Sequence, residues 1–262
     1  MKRIFLSLFW LGLTQATFAQ FDLSLNANYA RPQGVMNRYI QNAWGGSGQA
    51  LYRIRYSPFA IGAEIGVSGY GSQTTRQTYR FNDGSATETD VCISSQFATF
   101  MLVSRIDVLR DNIITPYINV KAGYHHYWTS LNIADPTDTD GCRPLENTSL
   151  LKDGAFAGTL GAGVRWDVSS LFKQVEKGLL AVDFSVNYTE GGNVRYMNVN
   201  IPTNPDPVSH HHVATNTDGS QPFNSRFINP QNQVVHEHHV GNVYRSAIQQ
   251  LDFRLGFLLR LP

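Results

Sequence analysis

Charge is what this chain has least of. Asp, Glu, Lys and Arg make up 16% of its 262 residues, against roughly 25% in an average soluble domain. The charges present nearly cancel, 21 Lys+Arg against 20 Asp+Glu for a net charge of +1. That balance excludes a basic field for nucleic acid and an acidic tail. Only the N-terminus carries a long apolar run, and mean hydropathy is −0.24, so a bundle of membrane helices is excluded too. Aromatic residues, by contrast, are plentiful: 15 Phe, 12 Tyr and 4 Trp rule out a disordered chain.

The N-terminus reads as an address. Lys2 and Arg3 precede the apolar stretch Ile4 to Leu13, and Thr17-Phe18-Ala19 supplies the small residues of a signal-peptidase site. Residues 1–19 are therefore expected to be a cleaved signal peptide and 20–262 the exported protein; about ten apolar residues are too few to cross a hydrocarbon core of ~30 Å. The first cysteine is Cys92, which argues against a lipid anchor at the cleavage site. Cys92 and Cys142, an even pair in an exported chain, read as one disulfide.

Beyond the address, apolar and polar residues alternate with the period of a strand that has one oily and one wet face. Phe21, Leu23, Leu25, Ala27 and Tyr29 alternate with Asp22, Ser24, Asn26 and Asn28. The pattern returns in 50–56, 61–68, 95–108, 115–129, 156–167, 180–188 and 251–260, making eight strands. In the fourth, Phe97, Met101 and Val103 fall on the polar side, so its register is reversed or its inner face is locally apolar. The connections alternate as well. Long polar segments near 31–47, 72–92, 130–153 and 191–248 follow the odd strands, and short ones, Ser57-Pro58, Leu109 to Asn112 and Ser169 to Gly178, follow the even strands. An up-and-down barrel crossing a membrane has this signature, with long loops outside and short turns on the periplasmic side.

The distribution of residues over the two faces favours a membrane barrel over a soluble lipocalin-like one. In the seven clear strands the oily face has no Lys, Arg, Asp or Glu, and aromatics gather at strand ends: Tyr29, Trp128 and Tyr188 at one expected interface, Tyr56 and Trp166 at the other. The opposite face carries Arg53, Arg55, Lys121, Arg165, Arg254 and Arg260 with Asp22, Glu64, Asp167, Asp183 and Asp252. An eight-stranded barrel has an interior just wide enough for side chains to fill, so these are expected to form a paired lumen network rather than line a pore.

Signal peptide, eight alternating strands, short turns and long loops together resemble the small OmpA/OmpX-like outer-membrane β-barrels of Gram-negative bacteria. The resemblance covers 20–262. It implies an all-β, eight-stranded antiparallel barrel in the outer membrane, in contact with outer-membrane lipid, and says less about function. One departure is the end of the chain, Arg260-Leu261-Pro262, where such barrels usually finish on an aromatic; Phe257 is the nearest substitute.

Function is expected outside the membrane, on loops carried by a rigid barrel. Strands seven and eight should continue upward as a ribbon, with Met197, Val199, Ile201, Val234 and Val240 offering apolar surface to a partner, another outer-membrane protein, by burial or strand addition. The leading expectation is a noncatalytic accessory subunit of a larger outer-membrane assembly or secretion complex; the alternatives are a free-standing adhesin or stability barrel, a narrow channel, or a lipid-modifying enzyme. Six histidines cluster in the fourth segment. His236 and His238 on a strand, with Glu237 or His210 to His212, have the donors to hold zinc, copper or nickel, although a Pro/Asn/Ser-rich stretch separates the two clusters and unliganded loop histidines are the better reading. Asp135, Asp138, Asp140 and Gly141 fit an Asx-rich turn better than a calcium loop, since Pro136 breaks the ligand spacing. His126 and Ser130 are four apart on one strand, about 13 Å, too far for base and nucleophile. No cofactor is implied. Alkylation of the denatured exported protein should find no free thiol; two would show that Cys92 and Cys142 are unbridged.

Overall fold

The computed structural model describes residues 20–80, 86–109, 112–134, 146–171, 178–198, 221–228 and 235–261. Residues 1–19, expected to be a signal peptide, Cys142, Val199, Ile201, Val234, His210 to His212 and the turn expected at Asp135 to Gly141 lie outside these residues. Nine strands are described: β1 (Gln20–Pro32), β2 (Ala43–Arg53), β3 (Phe59–Arg80), β4 (Ala86–Asp107), β5 (Ile114–Ala134), β6 (Glu146–Asp167), β7 (Leu180–Asn198), β8 (Gln221–Ile228) and β9 (Val235–Leu261). All pairings are antiparallel. Neighbours in sequence pair from β1 to β7, β7 pairs with β9, and β9 returns to β1 from Phe21↔Leu261 to Pro32↔Gln250. Eight strands thus close into the up-and-down barrel that the resemblance implies, and β8 adds to the upper part of β9.

The outward face is a belt of apolar side chains with no protein to cover it. Leu25, Leu102 and Phe156 are all more than 70% exposed. With Ile65, Phe100, Leu160, Phe184, Leu255 and Phe257 they form a ring far larger than the few hundred Å² of contiguous apolar surface that soluble monomers tolerate. Lipid is the solvent that such a surface fits. Aromatics bound the belt: Tyr29 packs between Trp44 and Phe253 at the upper rim, ring centroids 4.6 and 6.2 Å away, and Phe21 packs on Tyr52 at the lower, 5.7 Å. Trp166 and Tyr56 stand exposed at the lower end, Tyr56 in the β2–β3 turn with a positive φ of 59°. Among the described residues no helix is long and apolar enough to cross a membrane.

The strands overrun the boundaries expected from the sequence. Gly45 and Gly46, expected in a loop, lie within β2. A Cβ on Gly45 would sit 2.0 Å from the Val67 carbonyl oxygen and 2.2 Å from Ser68 Oγ, so this glycine permits close strand approach rather than a turn. Much of the second, third and fourth long segments is also strand: β3 pairs β4 up to Arg80↔Ala86, β5 pairs β6 up to Ile133↔Glu146, and β7 pairs β9 up to Asn198↔Asn242. Polarity had marked these segments as loops, but it reflects their height above the lipid. In β4, Phe97, Met101 and Val103 are buried while Phe100 and Leu102 face out; the register is regular and the inner face is locally apolar.

Glycine also makes room inside the barrel. Tyr117 lies directly opposite Gly163 in the β5–β6 register, and a Cβ at 163 would stand 2.4 Å from Tyr117 Cζ. Gly163→Val should drive the Tyr117 ring off Asp183 and lower stability by about 1–3 kcal/mol. Urea unfolding followed by heat-modifiable gel mobility measures this, and an unchanged midpoint would show that the ring has another place to go.

Candidate functional site

The lumen is filled in two tiers, beginning at the end with the short turns. Asp22 of β1 is the hub of an ionic cluster, with Arg105 Nη2 2.5 Å from Oδ2, Arg165 Nη1 at 3.5 Å, Arg53 Nε at 3.9 Å and Arg260 Nε 3.2 Å from Oδ1. Asp107 is a second hub, 3.2 Å from Arg53, 3.4 Å from Arg105 and 3.0 Å from Arg165. Tyr117 donates its hydroxyl to Asp183 at 2.5 Å, and the Arg105 guanidinium lies over the Tyr117 ring. Halfway up, Glu64 Oε2 receives Lys121 Nζ at 2.9 Å, Arg254 Nη1 at 2.5 Å and Gln49 Nε2 at 3.1 Å. Arg254 also donates to Asn28 and Ser47. Charges buried this far from water persist only when paired and hydrogen-bonded.

Of the lumen residues expected from sequence, the structure brings Arg53, Glu64, Lys121, Arg165, Asp183 and Arg254 into these clusters. Asp252 faces the same lumen, accepting from Thr189 and Gln250 rather than from a cation. Two residues belong elsewhere. Arg55 lies in the β2–β3 turn, exposed, with its guanidinium 4.9 Å above the Tyr56 ring, because β2 ends at Arg53. Asp167 closes β6 and caps the following turn, accepting the Ser169 N–H at 2.9 Å. Sequence reading missed Arg105 and Asp107, which are 1% and 4% exposed. The signal was available: they share the odd-numbered face of β4 with Phe97, Met101 and Val103.

The upper tier is apolar. Tyr70, Phe97, Tyr127, Val194, Tyr196, Tyr244 and Ile248 form a buried core with Met36 and Ile40, which come from the β1–β2 connection and its single 3-10 turn at Met36–Arg38. Tyr39 from this connection stacks on Tyr244 at 4.0 Å. Tyr196 donates to or accepts from Ser246 at 2.9 Å, and its burial pushes the hydroxyl pKa up to about 12. A cavity of about 40 Å³ separates the two tiers, lined by residues that include Glu64, Lys121, Asp252 and His125, whose Nδ1 has no partner among the described residues.

Above the lipid belt the wall divides. β6 pairs with β7 only as far as Ala157↔Gly191; higher up, Asp153 bridges the gap by accepting the Arg195 backbone N–H at 2.9 Å and its Nε at 3.1 Å. Partial burial raises the Asp153 pKa, but these bonds, the Gly154 N–H and the arginine charge outweigh it and hold the carboxyl below the usual carboxylate range. β7 also leans onto β4: Ser95 Oγ donates to the Met197 carbonyl at 3.4 Å, and Met197 is fully buried against Ile93, Leu150, Leu151 and Val243. This corrects the expectation that Met197 offers apolar surface to a partner, since the mouth itself closes over it. Val240, His236 and His238 lie on upper β9, His236 and His238 opposite Phe227 and Ser225 of β8; their side chains are not among those described. Cys92 carries no disulfide among the described residues, with Ser72 Oγ 3.9 Å from its sulfur. Ser130 bonds Ser94 at 3.0 Å, while His126 lies between Tyr124 and Trp128.

No protein-family model matches the chain, and no curated protein matches it in sequence. Among solved structures it is similar to Neisserial surface protein A, at 12% identity over 92% of this chain and 97% of that one, with a TM-score of 0.40. It is also similar to Ail, the attachment invasion locus protein of Yersinia pestis, at 10% identity over 93% and 99%, TM-score 0.37. A major outer membrane protein from Thermus thermophilus gives 12% identity over 93% and 100%, TM-score 0.42.

Glu64 holds two cations that have no other carboxylate within salt-bridge distance among the described residues. Glu64→Ala should therefore cost about 3–5 kcal/mol, the usual penalty for stranding a buried charge. The shift of the thermal gel-mobility transition reads this out, and a loss below ~1 kcal/mol would mean that water reaches the site.

Proposed function

We propose that this protein is a noncatalytic outer-membrane barrel that docks another outer-membrane protein through its raised strands, as an accessory subunit of a larger assembly. The reading rests on one observation: regular β-structure continues well above the lipid belt and ends in open strand edges. β2 accompanies β3 only to Trp44↔Gly69. Above that point, among the described residues, β3 pairs with β4 alone, and Ser72, Gln73 and Thr74 are exposed. Unpaired backbone N–H and C=O groups on such an edge match an extended segment of a partner. The filled lumen fits a pedestal better than a conduit, because a conducting path would have to displace both the ionic clusters and the aromatic tier.

The test is extraction from the native outer membrane in mild detergent, with a photo-crosslinking residue at Gln73. A stoichiometric companion that crosslinks through position 73 is expected. A lone species near the mass of the mature chain, with no crosslink, would overturn the subunit role and favour a free-standing adhesin or stability barrel.

A further inference from the structure

Two arginines face each other on the outer wall. Arg195 of β7 is the direct cross-strand partner of Arg245 of β9, and both side chains are exposed. Such a pair holds its Cβ atoms about 5 Å apart, and like charges in that position destabilise a sheet. Among the described residues no carboxylate pairs with Arg245. Arg195 is tethered, since Asp153 Oδ2 takes its Nε at 3.1 Å and its backbone N–H at 2.9 Å, while Oδ1 takes the Gly154 N–H at 2.8 Å. The carboxylate occupies the Nε edge of the guanidinium, so the two terminal amino groups remain to grip an anion in the bidentate manner that suits phosphate. Lys152, next to Asp153 on β6, is exposed as well.

Height selects the ligand. The lipid belt on these strands ends at the pair Tyr188↔Leu251, and Arg245 stands six residues beyond Leu251 on β9. At ~3.3 Å per residue and a strand tilt of about 40°, the arginines stand about 15 Å above the belt. Phospholipid headgroups reach only about 6 Å beyond the hydrocarbon, whereas the sugars of a glycolipid extend further. We propose that Arg195 and Arg245, supported by Lys152, bind a phosphate group on the sugar portion of an outer-leaflet glycolipid, with Asp153 as the positioning residue for Arg195. This rests on the reading that the raised end faces the outside of an outer membrane.

The experiment compares the full-length exported protein with its Arg195→Gln/Arg245→Gln variant, both delipidated in detergent. Each is titrated with purified lipopolysaccharide, with lipopolysaccharide stripped of phosphate, and with inorganic phosphate. The expected result is at least tenfold tighter binding of the phosphorylated glycolipid by the wild type, a preference that the double variant loses. Equal binding by variant and wild type, or undiminished binding of the stripped glycolipid, would overturn the site. Saturation by millimolar inorganic phosphate with no gain from the glycolipid would overturn the lipid as its source. The single variant Arg245→Gln, at an exposed position, should lose preference in the same direction and guards against a folding defect, which heat-modifiable mobility checks in both. Orientation is measured separately: Thr148→Cys should react with an impermeant maleimide on intact cells. Failure there would overturn the outward orientation, and the glycolipid assignment with it, independently of the binding data.

Discussion

The ladder between β1 and β9 is the contact on which the rest of the molecule depends. Lipid offers no hydrogen bonds, so an open strand edge within the hydrocarbon would leave each N–H and C=O unsatisfied at several kcal/mol apiece. The register from Phe21↔Leu261 to Pro32↔Gln250 removes that edge. Closure joins the first strand to the last, the longest separation the chain can span, so it is formed against a large loop entropy. The ionic cluster reinforces the same seam: Asp22 comes from β1 and Arg260 from β9, and they meet at 3.2 Å. Neither the belt nor the lumen network has its arrangement without the ring.

Once eight strands close, the interior cannot remain empty, and the two tiers fill it by different means. At the level of the membrane the outward positions must be apolar, and the inward ones carry the polar half of the alternation, so charge is packed against opposite charge around Asp22, Asp107 and Glu64. Above the membrane that division no longer applies. There the wall faces water, and the lumen takes the apolar half, with Tyr70, Phe97, Tyr127, Tyr196 and Tyr244 forming a core like that of a soluble domain. Met36 and Ile40 of the β1–β2 connection complete it from above. The result is a barrel that turns its faces inside out along its own length.

That inversion explains what the sequence disclosed and what it withheld. Strand number, closure order and the membrane belt were legible because Leu23, Leu25 and Ala27, or Leu255, Phe257 and Leu259, repeat with period two against a solvent of one kind. Loop boundaries were not, because Ser72 to Thr74 and Asn147 to Ser149 are polar for lying above the lipid, which a reader of polarity takes for irregular structure. Arg105 and Asp107 were passed over although they share the odd-numbered face of β4 with Phe97, Met101 and Val103, because β4 crosses both tiers and that inward face is mostly apolar above and charged below. Arg55 and Asp167 erred in the other direction, as alternation carries on through a turn that hydrogen bonding ends. Met197 escaped because nothing local reports that β7 leans across the mouth toward Ser95.

β4, β5 and β9 keep the same parity inward through both tiers, Phe97 with Arg105, Tyr127 with Lys121 and Tyr244 with Arg254, whereas β7 changes faces at a bulge. Register shifts occur at Gly69/Gly71 in β3, at Thr129/Ser130 where β5 meets β6, and between Glu190 and Asn193 in β7. Each lies near the top of the lipid belt. A bulge inserts a residue, adds twist and exchanges the faces of whatever follows. In β7 the even-numbered residues Phe184 and Tyr188 face outward below the shift; without it Val194 and Tyr196 would do the same and Arg195 would point into the apolar core. With it, Val194 and Tyr196 are buried and Arg195 is exposed beside Arg245. Gly191 lies at this shift, where a Cβ would come 2.8 Å from the Phe156 carbonyl oxygen. The same shift therefore seals the upper lumen and brings a cation to the outer wall, so the closed pedestal and its charged rim follow from one irregularity in the ladder.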